Sequence, residues 1–286
     1  MLGNRIEIES PLISIIIPCY NDADYIEQAV LSALNQTYLN KEVIVVDDGS
    51  NLATKALLKK LEPRISKLIT QENQGQSTAR NIGIREAQGE YILVLDSDDY
   101  FEPSFCEKAI TVFLNNNVIK IVTCYVNRVF EGNRIDVFKP DGGELKHFLL
   151  YNCAMGSSMF RKSNWHEIKG YDENMRKGFE DWEFYLRLVK EGGSAYVIPE
   201  VLFNYRLKEN STTTRANKIK YELLQYIYLK HRESYIFYFD LFVTHLLGKT
   251  KREEQEKIKN TQRLEYKIGF FILLPLRKIK NIFNRH

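Results

Sequence analysis

Three runs of consecutive apolar residues constrain this chain more than any other feature. LISIIIP (12–18), KEVIVVDD (41–48) and YILVLD (91–96) carry near-continuous apolar stretches rich in β-branched residues, with Ser14 inside the first, rather than an alternation. A strand that is apolar on both faces must be covered on both faces, as in a parallel sheet flanked by helices. After the first run, Ile26, Ala29, Val30, Ala33 and Leu34 follow at helical spacing, with Asn21 or Asp22 as the expected N-cap. Further helices are expected over 52–62, ended near Pro63, over 76–87, stopped by Gly89, and near 103–116. SKLITQ (66–71) and IKIVTCY (119–125) read as additional strands. Regular alternation of strand and helix predicts right-handed βαβ units, an α/β class and a mostly parallel sheet.

The second half is less regular. VNRVFEGNRIDVF reads as a hairpin turning at 131–133, 145–151 as a helix and MGSSMF as a strand. EDWEFYLRLVKE (180–191) is a helix with Trp182, Tyr185, Leu186 and Val189 on one face. AYVIPEVLFNYR supplies two short strands, and helices follow from Asn217.

In sheets of this kind ligands bind at the carboxyl ends of the strands. The polar clusters PCYND, DDGS and DSDD fall at those ends. Asp96 and Asp98 are two apart where a buried strand stops, so both side chains can reach one point. Their oxygens make half of a site for Mn2+ or Mg2+, which complete their shell with substrate phosphates and water. A strand-end turn of solvated acids is the plainer alternative, and the cluster alone does not exclude it. Asp47 and Asp48 suit the hydroxyls or base of a nucleotide, although Asp-Gly is also an ordinary turn. Tyr20 has the ring to stack on a nucleobase or to pack on the sheet edge. NQGQSTARN (73–81) opens a helix whose free N–H groups suit an anion, with Arg80 one turn in. EDWEF (180–184) puts acids where a helix dipole favours them, and Asp181 is also a candidate general base. Neither GxGxxG nor GxxxxGK[ST] occurs, so a usual dinucleotide fold and a P-loop lack support.

Taken in order, SIIIPCYNDADYIEQAVLSALNQTY, VIVVDDGS, ENQGQSTARNIGIREAQGEYILVLDSDD and GYDENMRKGFEDWEF resemble glycosyltransferase family 2 over residues 12–210. That family comprises inverting sugar transferases on a GT-A nucleotide-diphospho-sugar fold. The resemblance implies that Pro18, Tyr20 and Asp48 bound a uracil pocket. It implies that Asp47, Arg80, Asp96 and Ser97 line the nucleotide sugar. Asp96 and Asp98 would be the DxD pair, with Asp98 nearest a Mn2+ or Mg2+ ion, and Asp181 the catalytic base. Glu180, Trp182, Arg206 and Lys208 are expected near the diphosphate or acceptor. Many relatives carry Tyr-Arg-x-His after the last core strands, whereas this chain has Tyr205-Arg206-Leu207-Lys208. A protonated lysine cannot ligate a cation, so Lys208 or Arg206 would instead neutralise the diphosphate.

The implied activity is transfer from a UDP-sugar to a hydroxyl of a lipid-linked glycan in bacterial surface-polysaccharide synthesis. The catalytic domain is expected over 1–215, with a nucleotide half near 12–125 and an acceptor half near 126–215, followed by a helical region over 216–286. A sugar-nucleotide pyrophosphorylase should show a glycine-rich basic loop after the first strand, and PCYND has neither glycine nor lysine. A degenerate nucleotide-binding scaffold is opposed by the intact Asp96, Asp98 and Asp181, and is kept open by the missing histidine.

Net charge is only +3, which gives no reason to expect nucleic acid as a partner. The charge is uneven: from Lys249 onward eleven Lys or Arg face four Glu. YKIGFFILLPLRKIKNIFNRH (266–286) mixes basic and apolar residues, as in a helix lying on an anionic leaflet. Docking on the catalytic domain, or on a second copy in a homodimer, is the alternative. Cys19, Cys106, Cys124 and Cys153 form no CxxC and read as buried free thiols of a reducing compartment. With neither a signal peptide nor a membrane-length apolar run, the expected location is the inner face of the cell membrane, reached from the cytoplasm.

Overall fold

The computed structural model describes residues 10–130, 133–208, 211–266 and 268–273. The chain divides into two compact units between Ser234 and Tyr235, inside the region read from sequence as the helical appendage. The first unit opens with β1 (Ile13–Cys19), α1 (Ile26–Leu34), β2 (Lys41–Asp48), α2 (Leu52–Leu61), β3 (Lys67–Gln71), α3 (Gln76–Glu86) and β4 (Tyr91–Val94). β1 pairs in parallel with both β2 and β4, and β2 with β3. Every residue of β1 is buried, as a strand covered on both faces requires, and Ser14, its one polar side chain, donates to Glu42 Oε1 at 2.5 Å. Ile15, Ile17, Val45 and Leu93 share a core with Ala29 and Val30 of α1. Each of the buried Ile, Leu and Val side chains contributes about 1.5–3 kcal/mol. On the opposite face α3 comes so close that a Cβ at Gly83 would lie 2.5 Å from Ile16 Cγ2.

The unit continues with β5 (Tyr100–Phe101), α4 (Phe105–Asn115), β6 (Ile119–Phe130), β7 (Asn133–Phe138), α5 (Leu145–Phe148) and β8 (Met159–Arg161). After these come α6 (Lys162–Glu167), α7 (Glu180–Lys190), β9 (Ser194–Arg206), α8 (Thr212–Lys218) and α9 (Lys220–Lys230). The sheet order is β3-β2-β1-β4-β8-β6-β9-β5, with β7 paired to β6. β8 runs antiparallel to both β4 and β6, which makes the sheet mixed.

Several local expectations change. IKIVTCY is only the start of a 12-residue β6, which runs on into the hairpin with β7. Residues 131 and 132 of that turn lie outside the described residues. AYVIPEVLFNYR forms one strand, β9, rather than two. It absorbs Pro199 by a slip in register opposite Cys124 and Tyr125, the way a strand accommodates a residue without an N–H. Helix α1 starts after Tyr25 without a side-chain cap, three and four residues beyond Asp22 and Asn21, whose side chains accept instead from the Ser97 hydroxyl and the Asn51 N–H. All four cysteines are free and buried.

Helix α10 (Arg232–Phe237) crosses the division, and the second unit contains α11 (Phe239–Gln262), none of whose residues is buried. Among the described residues no helix is long and apolar enough to cross a membrane. The expected tail helix over 266–286 lies mostly outside the described residues. Within 264–273, Leu264, Tyr266, Phe271 and Ile272 are exposed.

Candidate active site

The carboxyl ends of β1, β2 and β4 lie side by side, which brings PCYND, DDGS and DSDD to one rim. β9 completes it. Its pairing with β5, Tyr100 opposite Asn204, returns Arg206 and Lys208 to the DSDD turn. The Arg206 N–H donates to Asp99 Oδ1 at 2.8 Å, and its guanidinium contacts the Asp98 carbonyl and Gln28. That guanidinium also lies over the rings of Tyr100, at 4.8 Å, and Tyr25, at 5.1 Å.

Asp96 Oδ1 accepts from Gln76 Nε2 and Arg80 Nη2, both at 2.7 Å. The other arm of Arg80 meets Glu180 Oε1 at 2.8 Å. Arg80 is 1% exposed, so its guanidinium is a strut between the DSDD turn and the start of α7. Burial opposes its charge, but Asp96 and Glu180 outweigh that and drive its pKa well up. Asp98 is half-buried, with a side chain 24% exposed and Oδ2 2.6 Å from Lys208 Nζ. The same ammonium lies 3.2 Å from Asp22 Oδ1, and Ser97 donates to Asp22 Oδ2 at 2.6 Å. Burial pushes the Asp98 carboxyl up, with Lys208 pulling against it. Asp99, buried beside two like charges, is pushed well up.

On the nucleotide side, Pro18 is buried in β1 and Tyr20 is 51% exposed at the rim. Asp47 accepts from the Ser50 N–H at 2.9 Å. Asp48 is buried, and its oxygens accept from Gln71 Nε2 and from the N–H groups of Gln74 and Gly75, at 2.7–2.9 Å. It thereby shapes the loop that opens α3. Gly49 makes the turn feasible, since its φ is +76° and a Cβ would lie 2.7 Å from the Asn73 nitrogen.

Helix α7 brings Asp181 to the region. Phe179, just before it, sits at φ 62°, a left-handed conformation that costs a bulky residue free energy and tends to persist at functional sites. Asp181 Oδ2 accepts from Asn152 Nδ2 at 2.8 Å, and a Cβ on Gly156 would come within 3.2 Å of that oxygen. Burial pushes the Asp181 carboxyl up. Arg80, the Trp182 N–H and Asn152 pull against it without cancelling it. Glu180 is likewise pushed up by burial. Trp182 is buried, its indole N–H donating to the Phe148 carbonyl at 2.6 Å.

Asp96, Ser97, Asp98, Arg206 and Lys208 therefore meet at one rim, and Arg80 ties that rim to Glu180 beside Asp181. The sequence reading missed Gln76 and Asn152, and it treated Asp22 only as a helix cap. PCYND contains Asp22 and NQGQSTARN contains Gln76, but no local pattern marks Asn152.

Among the described residues no three His, Cys, Asp or Glu side chains cluster as a metal cage. The donor set still fits a divalent ion. Asp96 Oδ1 is taken by Gln76 and Arg80 and Asp98 Oδ2 by Lys208, so it is the second oxygen of each carboxylate that suits Mg2+ or Mn2+, with phosphate and water to complete the shell.

Comparison with known proteins gives the rim its context. The model of the family described as glycosyl transferase family 2 matches residues 14–168, and one described as the N-terminal domain of galactosyltransferase matches 147–222. An uncharacterized glycosyltransferase of Haemophilus influenzae is 31% identical over 81% of this chain and 95% of its own. A putative teichuronic acid biosynthesis glycosyltransferase of Bacillus subtilis, TuaG, is 33% identical over 73% of this chain and 84% of its own. The fold matches S. aureus TarS 1–349 in complex with UDP-GlcNAc with a TM-score of 0.68 and 18% identity, over 89% of this chain and 77% of that one. The UDP complex matches over 68% of this chain and only 60% of that one. On a GT-A-type fold, and with the family model spanning β1 to α6, the chain belongs to glycosyltransferase family 2.

Proposed function

We propose that this glycosyltransferase moves a sugar from a nucleoside diphosphate donor, UDP-linked first of all, to a hydroxyl of a glycan acceptor with inversion. The observation that carries the reading is the Arg80 strut, which joins the DSDD turn to the acidic start of α7. TarS in complex with UDP and UDP-GlcNAc supports the donor class, and TuaG supports a polysaccharide acceptor. A lipid carrier on that acceptor is part of the proposal.

In this scheme Asp181 takes the proton of the acceptor hydroxyl, and Asn152 holds the carboxylate toward it. The acceptor oxygen attacks the anomeric carbon while the bond to the diphosphate oxygen breaks, and the nucleotide leaves with that electron pair. Asp98 and Asp96 would hold Mn2+ or Mg2+, which when bound offsets the charge growing on the diphosphate. Lys208 and Arg206 add cationic groups beside it. Tyr20 and Asp48, with Pro18 and Asp47, form the base-facing edge.

General-base assistance contributes about 10²–10⁴ in rate. Asp181→Asn is expected to keep donor affinity by calorimetry and to lose turnover on that scale. Turnover within about threefold of the parent would remove Asp181 as the base. The catalytic region is proposed as 1–215 and the basic tail as an anchor on anionic membrane. Truncation after Arg263 should abolish vesicle binding and spare donor hydrolysis, and undiminished vesicle binding would refute the anchor.

A further inference from the structure

Lys208, the departure noted in Tyr205-Arg206-Leu207-Lys208, sits against the DSDD turn. Lys208 Nζ lies 2.6 Å from Asp98 Oδ2, 3.2 Å from Asp22 Oδ1 and 4.8 Å from the Tyr25 ring. Asp22 in turn receives the Ser97 hydroxyl at 2.6 Å, which fixes its carboxylate. This is a built seat for one cation: two carboxylates, one held by a third group, under an aromatic face. Its side chains are 20–28% exposed, so solutes can reach it.

A divalent ion binds a carboxylate oxygen at about 2.0–2.2 Å. An oxygen that already carries an ammonium at contact distance cannot accept one without bringing two cations together. Lysine has a long flexible stem, and Asp22 and Tyr25 would retain the ammonium at the rim once it left Asp98. A diphosphate, with its own negative charge, is the partner that can take it over.

We infer that Lys208 is the internal counter-ion of Asp98 in the donor-free protein, closing the metal seat until a sugar nucleotide's diphosphate draws the ammonium away. This rests on the proposed function's assignment of Asp98 as a metal ligand. Metal and donor then bind as a linked pair, each raising the affinity of the other, because either one alone must displace or leave the ammonium.

The test is Mn2+ binding to the intact protein, read from the electron paramagnetic resonance signal of free Mn2+, with and without UDP. The parent should bind Mn2+ weakly alone and more tightly with UDP. Lys208→Met should bind Mn2+ roughly tenfold or more tightly without UDP, and gain less when UDP is added. Lys208→Arg keeps the charge and should stay near the parent, while Asp98→Asn should abolish the gain. If Lys208→Met does not fold, Lys208→Gln carries the same comparison. Unchanged Mn2+ affinity in the neutral variants, with UDP-dependent binding intact in the parent, would overturn the counter-ion role alone. No Mn2+ binding by any form with UDP would overturn the metal reading and this inference with it.

Discussion

Two carboxylates of the first unit each face a lysine, and they are built to opposite plans. Glu183, on α7, is wholly buried and meets Arg187 Nη2 at 2.7 Å, Lys230 Nζ at 2.9 Å and His231 Nε2 at 3.0 Å. Arg187 goes on to the carbonyls of Ile168 and Gly170, and Lys230 shares Asp172 with Tyr226. The cluster fastens α9 to α7 and to the loop before it. Asp98 has one lysine, shared with Asp22, in a seat open to solvent. A buried charge saturated on every side is architecture. A half-open charge with one movable partner is a place where a ligand can enter.

The largest expected effect tests this contrast directly. Glu183→Gln leaves Arg187 and Lys230 packed against a neutral group, and breaking a buried ion cluster from one side costs about 3–5 kcal/mol. Asp98→Asn removes a partly exposed pair and should change stability by about 1 kcal/mol or less. Urea unfolding of both variants measures the difference. Similar midpoints would erase the distinction between the clusters.

Acidification separates the same regions by a smaller margin. Burial works against the Glu183 carboxylate, but His231, Arg187 and Lys230 bring it from 4.5 down to about 2. Its contribution to stability is therefore fully present above 4.5 and is lost as pH falls toward 2. Asp181 is pushed the other way, above 3.8, so its basic form disappears at a higher pH than that of an ordinary aspartate. On acidification turnover should fall, by about tenfold per pH unit, while the Glu183 cluster still holds. A pH profile of kcat/KM beside circular dichroism over the same range checks this. Joint loss of activity and ellipticity would contradict it.

The two regions also differ in how far local sequence reveals them. β1, β2 and β4 were legible because a near-continuous apolar run rich in β-branched residues has few other uses, and their ends carried the acids into view. β8 was misjudged in extent and its insertion between β4 and β6 was not foreseen, since three residues pairing across long separations leave no periodic trace. In EDWEF the acids were visible but their division of labour was not. Residues two apart on a helix point to opposite sides, which separates Asp181 from Glu183. Only tertiary structure shows that one side meets Asn152 and the other meets Lys230 and His231. The Lys208 departure was legible in sequence, whereas its contact with Asp98 was not.

The smallest expected effect concerns Asn152, whose amide is the active-site counterpart of the Glu183 cations. Its Nδ2 donates to Asp181 Oδ2 at 2.8 Å, and its Oδ1 accepts from the Ala154 N–H at 3.4 Å, so the loop sets its orientation. Two neutral donors, the Asn152 amide and the Trp182 N–H, steer the carboxylate without neutralising it as the Glu183 cations do. Asn152→Ala removes a hydrogen bond to a charged group and should cost about tenfold in kcat. Because that bond favours the ionised form, its loss should also move the acid limb of the kcat profile to higher pH. Asn152→Asp should move the limb further in the same direction, since it sets a like charge beside Asp181, the proposed base. A lower kcat with an unmoved limb in both variants would mean that Asn152 supports the loop alone, and that Asp181 is oriented by Gly156 and the start of α7.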